Sequence, residues 1–499
     1  MKFTLDATLA GKLLKSRLVR KHARSRATTR QLTSTYFDTR QHTLRKASAA
    51  LRVRKTGNRF EQTLKLASAG LVGMQNNEEW NVPLANDQPD PDLFDKTVMA
   101  RVRPTGRKMN LQPVFTTEIR RTALVLGRGN TRFEIALDIG EIRGHGAKSR
   151  RVPVSEVEFE LLKGSPLAML DFILELCNEI DLVPLYLSKA QRGYGLARPS
   201  LRPGPTKARA VLLSPDMSVG EAFNKIVAEA LRHLSTSHQP VQEGSPQGVH
   251  QARVSIRRIR AALRAFKKSL PYDKRKAFNG EFRWFQARLA PARDWHVFLS
   301  ETVPSIQESR PRSRVSLANL ARGAATERRR ATAEARELFK SRRFTRLVLE
   351  FQRWVLALEL EKGAMFDLEL KPFAQGVLDK TRRDFLLDIR PLSRMSEEDR
   401  HSLRKRGKKA RYATEFFAGL WQGRQVDNYL QLMEKIQDLL GEANDAVVAR
   451  QVLATLPPRL LKPSTIWRVQ QWSEQRVRHN IKVGQPLWRR VKTAEPFWV

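Results

Sequence analysis

The run SEVEFELLKG carries three glutamates, Glu156, Glu158 and Glu160, at alternate positions, with Val157, Phe159 and Leu161 between them. In an extended chain alternate side chains share a face, so the run presents an acidic wall on one side and an apolar one on the other. By the same rule LRVR brings Arg52 and Arg54 together, and TLK aligns Thr63 with Lys65. An ordinary exposed strand mixes signs, whereas each of these strands carries nearly one sign on its polar face. Grouped carboxylates suit a hard divalent cation, and grouped arginines and lysines suit phosphate oxygens. Closing such a sheet with its apolar side outward, under helices, would turn both walls into a lumen. A solvated sheet face with cross-strand ion pairs accounts for these segments equally well.

A second kind of chemistry is written twice. HSLRKRGKKARY, from His401 to Tyr412, holds six lysines and arginines and no carboxylate, and HQARVSIRRIRA upstream aligns with it at an offset of 151 residues. His250 then pairs with His401, Arg253 with Arg404, Arg257 with Lys408, Arg258 with Lys409 and Arg260 with Arg411. The same offset pairs Phe266 with Phe417, Gln286 with Gln437, Leu289 with Leu440 and Asp294 with Asp445, which predicts two copies of one helical unit. On a helix, His250, Arg253, Arg257 and Arg260 fall in a stripe about 80° wide, opposite Ala252, Ile256, Ile259, Leu263 and Phe266. A solvated surface helix would intersperse Glu or Asp among the cations, but none occurs from Val249 to Lys268. A bound polyanion offsets that self-repulsion through charge-assisted hydrogen bonds. The paired histidines read as further phosphate donors. Asp294 and Asp445 would repel an anion, so they are assigned a structural role, orienting arginines or capping helices.

These residues need two kinds of scaffold. From Thr33 to about Leu161 the pattern has period two, broken by Gly, Pro and Asn turns, which predicts antiparallel strands. PLAMLDFILELCNEI reads as an amphipathic helix, and ARPSLRPGPTKA, Ala197 to Ala208, as a linker. Beyond it the period becomes helical, with breaks near Pro271, Pro291 and Pro372. The 499 residues exceed one hydrophobic core, and a net charge of +40 exceeds what solubility requires, which points to nucleic acid, polyphosphate or an anionic membrane surface. No run of about 18 apolar residues suggests a membrane span. The lone cysteine, Cys177, excludes an intrachain disulfide, and with no export signal in the N-terminal residues a cytoplasmic location is expected.

VHQARVSIRRIRAALRAF, HSLRKRGKKARYATEFF and IQDLLGEANDAVVA resemble the CHAD family, which implies two pseudo-symmetric four-helix bundles that bind long-chain inorganic polyphosphate, with association with polyphosphate granules as a corollary. Its ligands would be His250, Arg253, Arg257, Arg258, Arg260, His401, Arg404, Lys405, Lys408, Lys409 and Arg411. YFDT, LRVR, TLK, LDIG, EVEFEL and LSKA occur in the order seen in the CYTH family of triphosphate tunnel enzymes. That resemblance implies an α+β chain: an eight-stranded antiparallel tunnel over 1–197, a linker over 198–210 and the helical domain over 211–499, in two repeats of about 211–365 and 366–499. It also implies hydrolysis of tripolyphosphate that depends on Mg²⁺ or Mn²⁺, with Glu156 and Glu158 holding metal and Glu134, Asp138 and Glu160 as further candidates. Lys2, Arg52, Arg54, Lys65, Arg121 and Lys189 would grip phosphate oxygens, with Arg120 as the alternative to Arg121. The family's opening Glu-x-Glu-x-Lys motif is matched only by Lys2, and an expected arginine and glutamate around EEW are Asn77 and Asn81. Those departures predict slow turnover or a binding-only tunnel, unless the start codon lies upstream. An RNA- or DNA-binding protein is the third reading, ranked last because Tyr412 is the sole Phe, Tyr or Trp in the two basic motifs and base stacking relies on such platforms.

Overall fold

The computed structural model describes residues 1–68, 76–102, 109–145, 150–310 and 315–499. The chain forms two units, Met1–Pro205 with Phe339–Ala357, and Thr206–Leu338 with Leu358–Val499.

The first unit is built on β1 (Lys2–Thr4), β2 (Thr28–Thr39), β3 (Ala49–Thr56), β4 (Arg59–Ser68), β5 (Asn76–Leu84), β6 (Leu111–Arg128), β7 (Thr131–Gly144), β8 (Arg151–Lys163) and β9 (Val183–Pro184). They form one sheet in the order β5-β4-β3-β2-β6-β7-β8-β1-β9. Among the described residues the sheet has nine strands, where eight were expected. The addition is β9, two residues long, whose Val183 and Pro184 pair with Thr4 and Phe3; Pro184 has no N–H with which to extend that ladder. Gly57 and Gly129 turn the β3–β4 and β6–β7 hairpins at φ of 59° and 55°, a left-handed backbone that glycine adopts without a Cβ clash.

Alternation in β8 does what the sequence pattern requires. Val157 and Phe159 are buried with Phe133 and Ile135 of β7 and with Phe172 and Ile173 of the helix Pro166–Leu176. Each such side chain contributes roughly 1.5–3 kcal/mol of burial, enough to fix the register and so hold the glutamates on the opposite face. Leu349 and Leu356 of the helix Arg342–Glu361 enter the same core. Between the expected breaks near Pro291 and Pro372 the helical segment is further divided at Ser341, between Ala318–Lys340 and Arg342–Glu361.

The second unit is helical. Its basic helices are Pro246–Ala265, capped by Ser245, and Glu397–Phe417, which opens with a Ser396/Asp399 capping box. Phe266 and Phe417, paired by the repeat, both lie fully buried with ring centroids 5.8 Å apart. The two copies differ in the continuity of the helix that follows the basic one. Arg424–Leu453 runs unbroken for 30 residues, whereas its counterpart is divided into Tyr272–Arg288, Ala290–Val297, a π-helical turn at Phe298–Thr302 and Val303–Ser309. Pro291 and Pro304 sit in the first turns of two of those pieces, where no N–H is needed, whereas inside one continuous helix each would remove a ladder bond.

Candidate active site and anion-binding cleft

Register brings the polar residues of the strand unit onto one face. Lys2 lies opposite Glu158 and Thr4 opposite Glu156; Asp138 pairs with both Glu156 and Arg121. Across the other side, Arg30 pairs with Arg121, Arg52 with Tyr36 and Thr63, and Lys65 with Glu79. A pocket of about 440 Å³ is lined by Arg30 of β2, Arg54 of β3, Arg59 and Glu61 of β4, Arg121 of β6 and Glu134 of β7. That pocket hollows the polar face at Arg54 and Arg121; Arg52, Lys65, Asp138, Glu156 and Glu158 share the face but are not among its lining.

On the acidic wall, carboxylate oxygens of Asp138, Glu156 and Glu158 lie within 4.8 Å of one another, and Asp138 and Glu156 are fully buried. Three hard oxygen donors so placed fit Mg²⁺ or Mn²⁺. The chain's own cations meet them. Arg121 donates to Asp138 at 2.6 and 2.7 Å and to Glu158 at 2.6 Å, Lys2 lies 3.0 Å from Glu158, and Lys189 reaches all three carboxylates. Burial opposes ionisation of Glu158, but Lys189, Lys2 and Arg121 hold its carboxyl well below the usual range. Against the pull of burial, Glu158, Glu156 and Asp138 in turn keep Lys189 above its ordinary value, and Asp138 and Glu158 do the same for Arg121. Glu134 and Glu160 pair with each other one step along the strands, outside this cluster; Glu160 is exposed, and burial pushes the Glu134 carboxyl up.

The basic wall has fewer partners. Burial and then Arg52 lower the Arg54 guanidinium to about 10, and they lower Lys65 despite its ion pair with Glu79. Arg52 keeps a buried Nε without a hydrogen-bond partner. Burial would push the Tyr36 phenol up, yet Arg52, Lys65, Lys189 and Arg54 together draw it below its usual value. A wall this cationic is poised for anionic oxygens. Asn81 accepts a 2.8 Å hydrogen bond from Thr63, and the side chain of Asn77 lies outside the described residues. Arg120 is exposed.

Two residues escaped sequence reasoning. Arg192 pairs with Glu156, and it sits one helical turn after Lys189 on the helix Lys189–Ala197, a spacing of three that LSKAQR displays. Asp38 of YFDT is fully buried and accepts from the backbone N–H groups of Thr39, Leu44 and Arg45 and from Tyr194 Oη at 2.8 Å. Asp38 thereby anchors the helix that carries Lys189 and Arg192. Tyr194→Phe removes one of those donors and is expected to cost about 1–2 kcal/mol of stability, read as a lower midpoint of thermal unfolding; an unchanged midpoint would refute the anchoring role.

In the helical unit a cleft of about 960 Å³ is lined by residues of both copies, among them His250, Arg253, Arg257, Arg258, Arg404, Lys408 and Arg411. Arg257 donates to Tyr412 Oη at 3.0 Å and Arg258 to Glu415 at 2.8 Å, tying the two basic helices together. Arg253 reaches the Gln286 carbonyl at 2.9 Å. Burial, then Arg404 and Arg257, lower the Lys408 ammonium to about 7, with Asp445 opposing. Burial, then Arg293, Arg257 and Arg253, lower His250 to about 4. Arg260 instead turns to Asn279 and Gln286, at 3.2 and 2.8 Å, while Lys405 and Lys409 are exposed and do not line the cleft. His401 lies outside it too, its Nδ1 2.8 Å from Asn444 Oδ1. The helix-capping role considered for Asp294 and Asp445 is corrected: both lie inside helices, Ala290–Val297 and Arg424–Leu453, and line the cleft. Interior residues have their N–H groups bonded within the helix, so no orphan donor remains there for a cap.

Comparison with known proteins supplies the family. Residues 2–194 match the CYTH domain and residues 225–454 the CHAD domain. An inorganic triphosphatase of Haemophilus influenzae is 32% identical over 164 residues, which are 33% of this chain and 45% of that protein, so the chain spans less than half of that relative. An uncharacterized protein of Mycobacterium tuberculosis is 26% identical over 456 residues, covering 85% of this chain and 82% of its own length. The crystal structure of the CHAD domain from the plant Ricinus communis shares 27% identity, covers 59% of this chain and 98% of its own, and superposes with a TM-score of 0.47. The strand-rich fold thus lies under the CYTH match and the helical fold under the CHAD match, so the chain carries a region similar to each domain, one after the other.

Proposed function

We propose that the strand unit binds and hydrolyses tripolyphosphate and that the helical unit binds long-chain inorganic polyphosphate in its cleft. The observation that carries the first half is the clustering of Asp138, Glu156 and Glu158 on the same sheet whose neighbouring strands group Arg52, Arg54 and Lys65. Arg52, Arg54 and Lys65 hold the phosphate oxygens, and Arg121 and Lys189 position the carboxylates at the boundary between the walls. Asp138, Glu156 and Glu158 would hold Mg²⁺ or Mn²⁺, which when bound neutralises charge between the acidic wall and the phosphates. Hydrolysis of the phosphoanhydride then depends mainly on positioning, with little covalent work for the protein. Calorimetry of tripolyphosphate binding to the full chain tests the assignment. Lys65→Ala is expected to weaken binding at least tenfold, the loss of about one charge-assisted hydrogen bond, and unchanged affinity would remove the basic wall from the site.

A second reading, binding without turnover, is favoured by one observation: Lys2, Arg121, Lys189 and Arg192 already engage all three carboxylates, so a metal ion must compete with them.

For the helical unit, the Lys408 ammonium supplies a pH signature. Its free-state value of about 7 lies below the ordinary lysine value, so the group is charged below neutral pH and neutral above it. A polyanion favours the charged form, so polyphosphate affinity is expected to fall as pH rises from 6 to 8.5 by up to about tenfold. Titration of the Lys408→Arg variant should flatten that dependence, and an identical slope in both proteins would refute the assignment.

A further inference from the structure

Between Asp6 and Asp38 the chain has no carboxylate side chain, yet residues 12–30 hold eight lysines and arginines: Lys12, Lys15, Arg17, Arg20, Lys21, Arg24, Arg26 and Arg30. All eight are exposed, and among the described residues none makes an ion pair or a side-chain hydrogen bond. The segment is held from beneath. Leu13 and Val19 are buried in the core of the strand unit, and Ser16 caps the helix Arg17–His22, which leaves Arg17, Arg20 and Lys21 on its outer face. Arg24 N–H then bonds Val125 O at 2.8 Å, Ala23 bridges Leu126, and β2 continues alongside β6 until Arg30 lies opposite Arg121. Arg30 and Thr28 line the 440 Å³ pocket. From Arg24 to Arg30 an extended chain covers about 20 Å, so the row of free cations ends in the pocket that holds Arg54, Arg59 and Arg121.

An ordinary solvated surface would intersperse acids, and like charges this dense destabilise the segment unless something neutralises them. We infer that residues 12–30 form a track for linear inorganic polyphosphate, leading one end of the chain into the strand unit's pocket, so that this unit engages long polyphosphate and not only free tripolyphosphate. Polyphosphate is favoured over single-stranded nucleic acid because the track offers no stacking platform. Its one ring, His22, is turned inward, with Nδ1 3.0 Å from Leu18 O and its edge against Phe172. The inference deepens the tunnel reading, on which it rests for where the chain end goes.

Lysine-acetylation footprinting of the full chain, without divalent metal, tests it. Long-chain polyphosphate is expected to lower labelling of Lys12, Lys15 and Lys21 several-fold, while tripolyphosphate at equal phosphate concentration leaves them unchanged. Arg17→Gln with Arg20→Gln should abolish that protection and leave tripolyphosphate turnover intact. Equal protection by tripolyphosphate, no protection by the long chain, or equal protection by single-stranded RNA of matched charge would each overturn the track. Protection without any tripolyphosphate turnover would support the track and count against the hydrolytic reading of the pocket; turnover without protection would do the reverse.

Discussion

Glu158→Gln is expected to reduce metal-dependent tripolyphosphate turnover by about 100-fold or more, since disturbing even an outer partner of a bound metal costs about 10–100-fold. The substitution keeps the shape of the side chain and removes the charge that Lys2, Arg121 and Lys189 share. Asp138 and Glu156 keep their own cations, so the fold is preserved and the loss falls on the metal. Substrate affinity measured without metal should stay the same or improve, because one carboxylate facing a polyanion is gone. Full turnover in this variant would remove Glu158 from the site. A parallel loss of thermal stability would show instead that the carboxylate is a structural counter-ion.

The second large effect belongs to the cleft. Replacing Arg257 and Arg404 with alanine removes one cation from each copy, both half-buried and both facing the same cleft. Each charge-assisted hydrogen bond contributes about 1.5–3 kcal/mol, so the pair is expected to lower polyphosphate affinity by on the order of 10²–10⁴-fold. The dependence of affinity on salt should become shallower as fewer counter-ions are displaced. Helix content should be retained, because the apolar face of each helix is untouched and its buried residues include Ile259 and Phe416. Filter binding across a salt series together with circular dichroism checks both expectations. Unchanged affinity in a folded variant would move polyphosphate to another surface.

Sequence pattern made the strand unit readable where each residue's environment depends on a period of two. In EVEFEL, burial of Val157 and Phe159 sets the face of Glu156 and Glu158 directly. The grouping of those two with Asp138 was less legible, because it depends on the register of β7 against β8, which alternation alone does not specify. Glu160 obeys the same alternation yet lies outside the cluster, since position along the strand, not face, separates it from Asp138. Arg192 was hidden because its role follows from how Asp38 and Tyr194 seat a helix more than 150 residues away in sequence. In the helical unit the offset of 151 identified equivalent positions, but equivalent positions need not have equivalent surroundings. His250 lines the cleft and His401 does not, and the helix that follows is broken at Leu289 in one copy and continuous in the other.

Phosphorus NMR of tripolyphosphate incubated with the full chain, with Mg²⁺, with Mn²⁺ and with chelator, tests the hydrolytic reading most directly. Conversion to pyrophosphate and orthophosphate with either metal, and none with chelator, is the expected result. Equal conversion with chelator, or no conversion under any condition while tripolyphosphate remains bound, would contradict it.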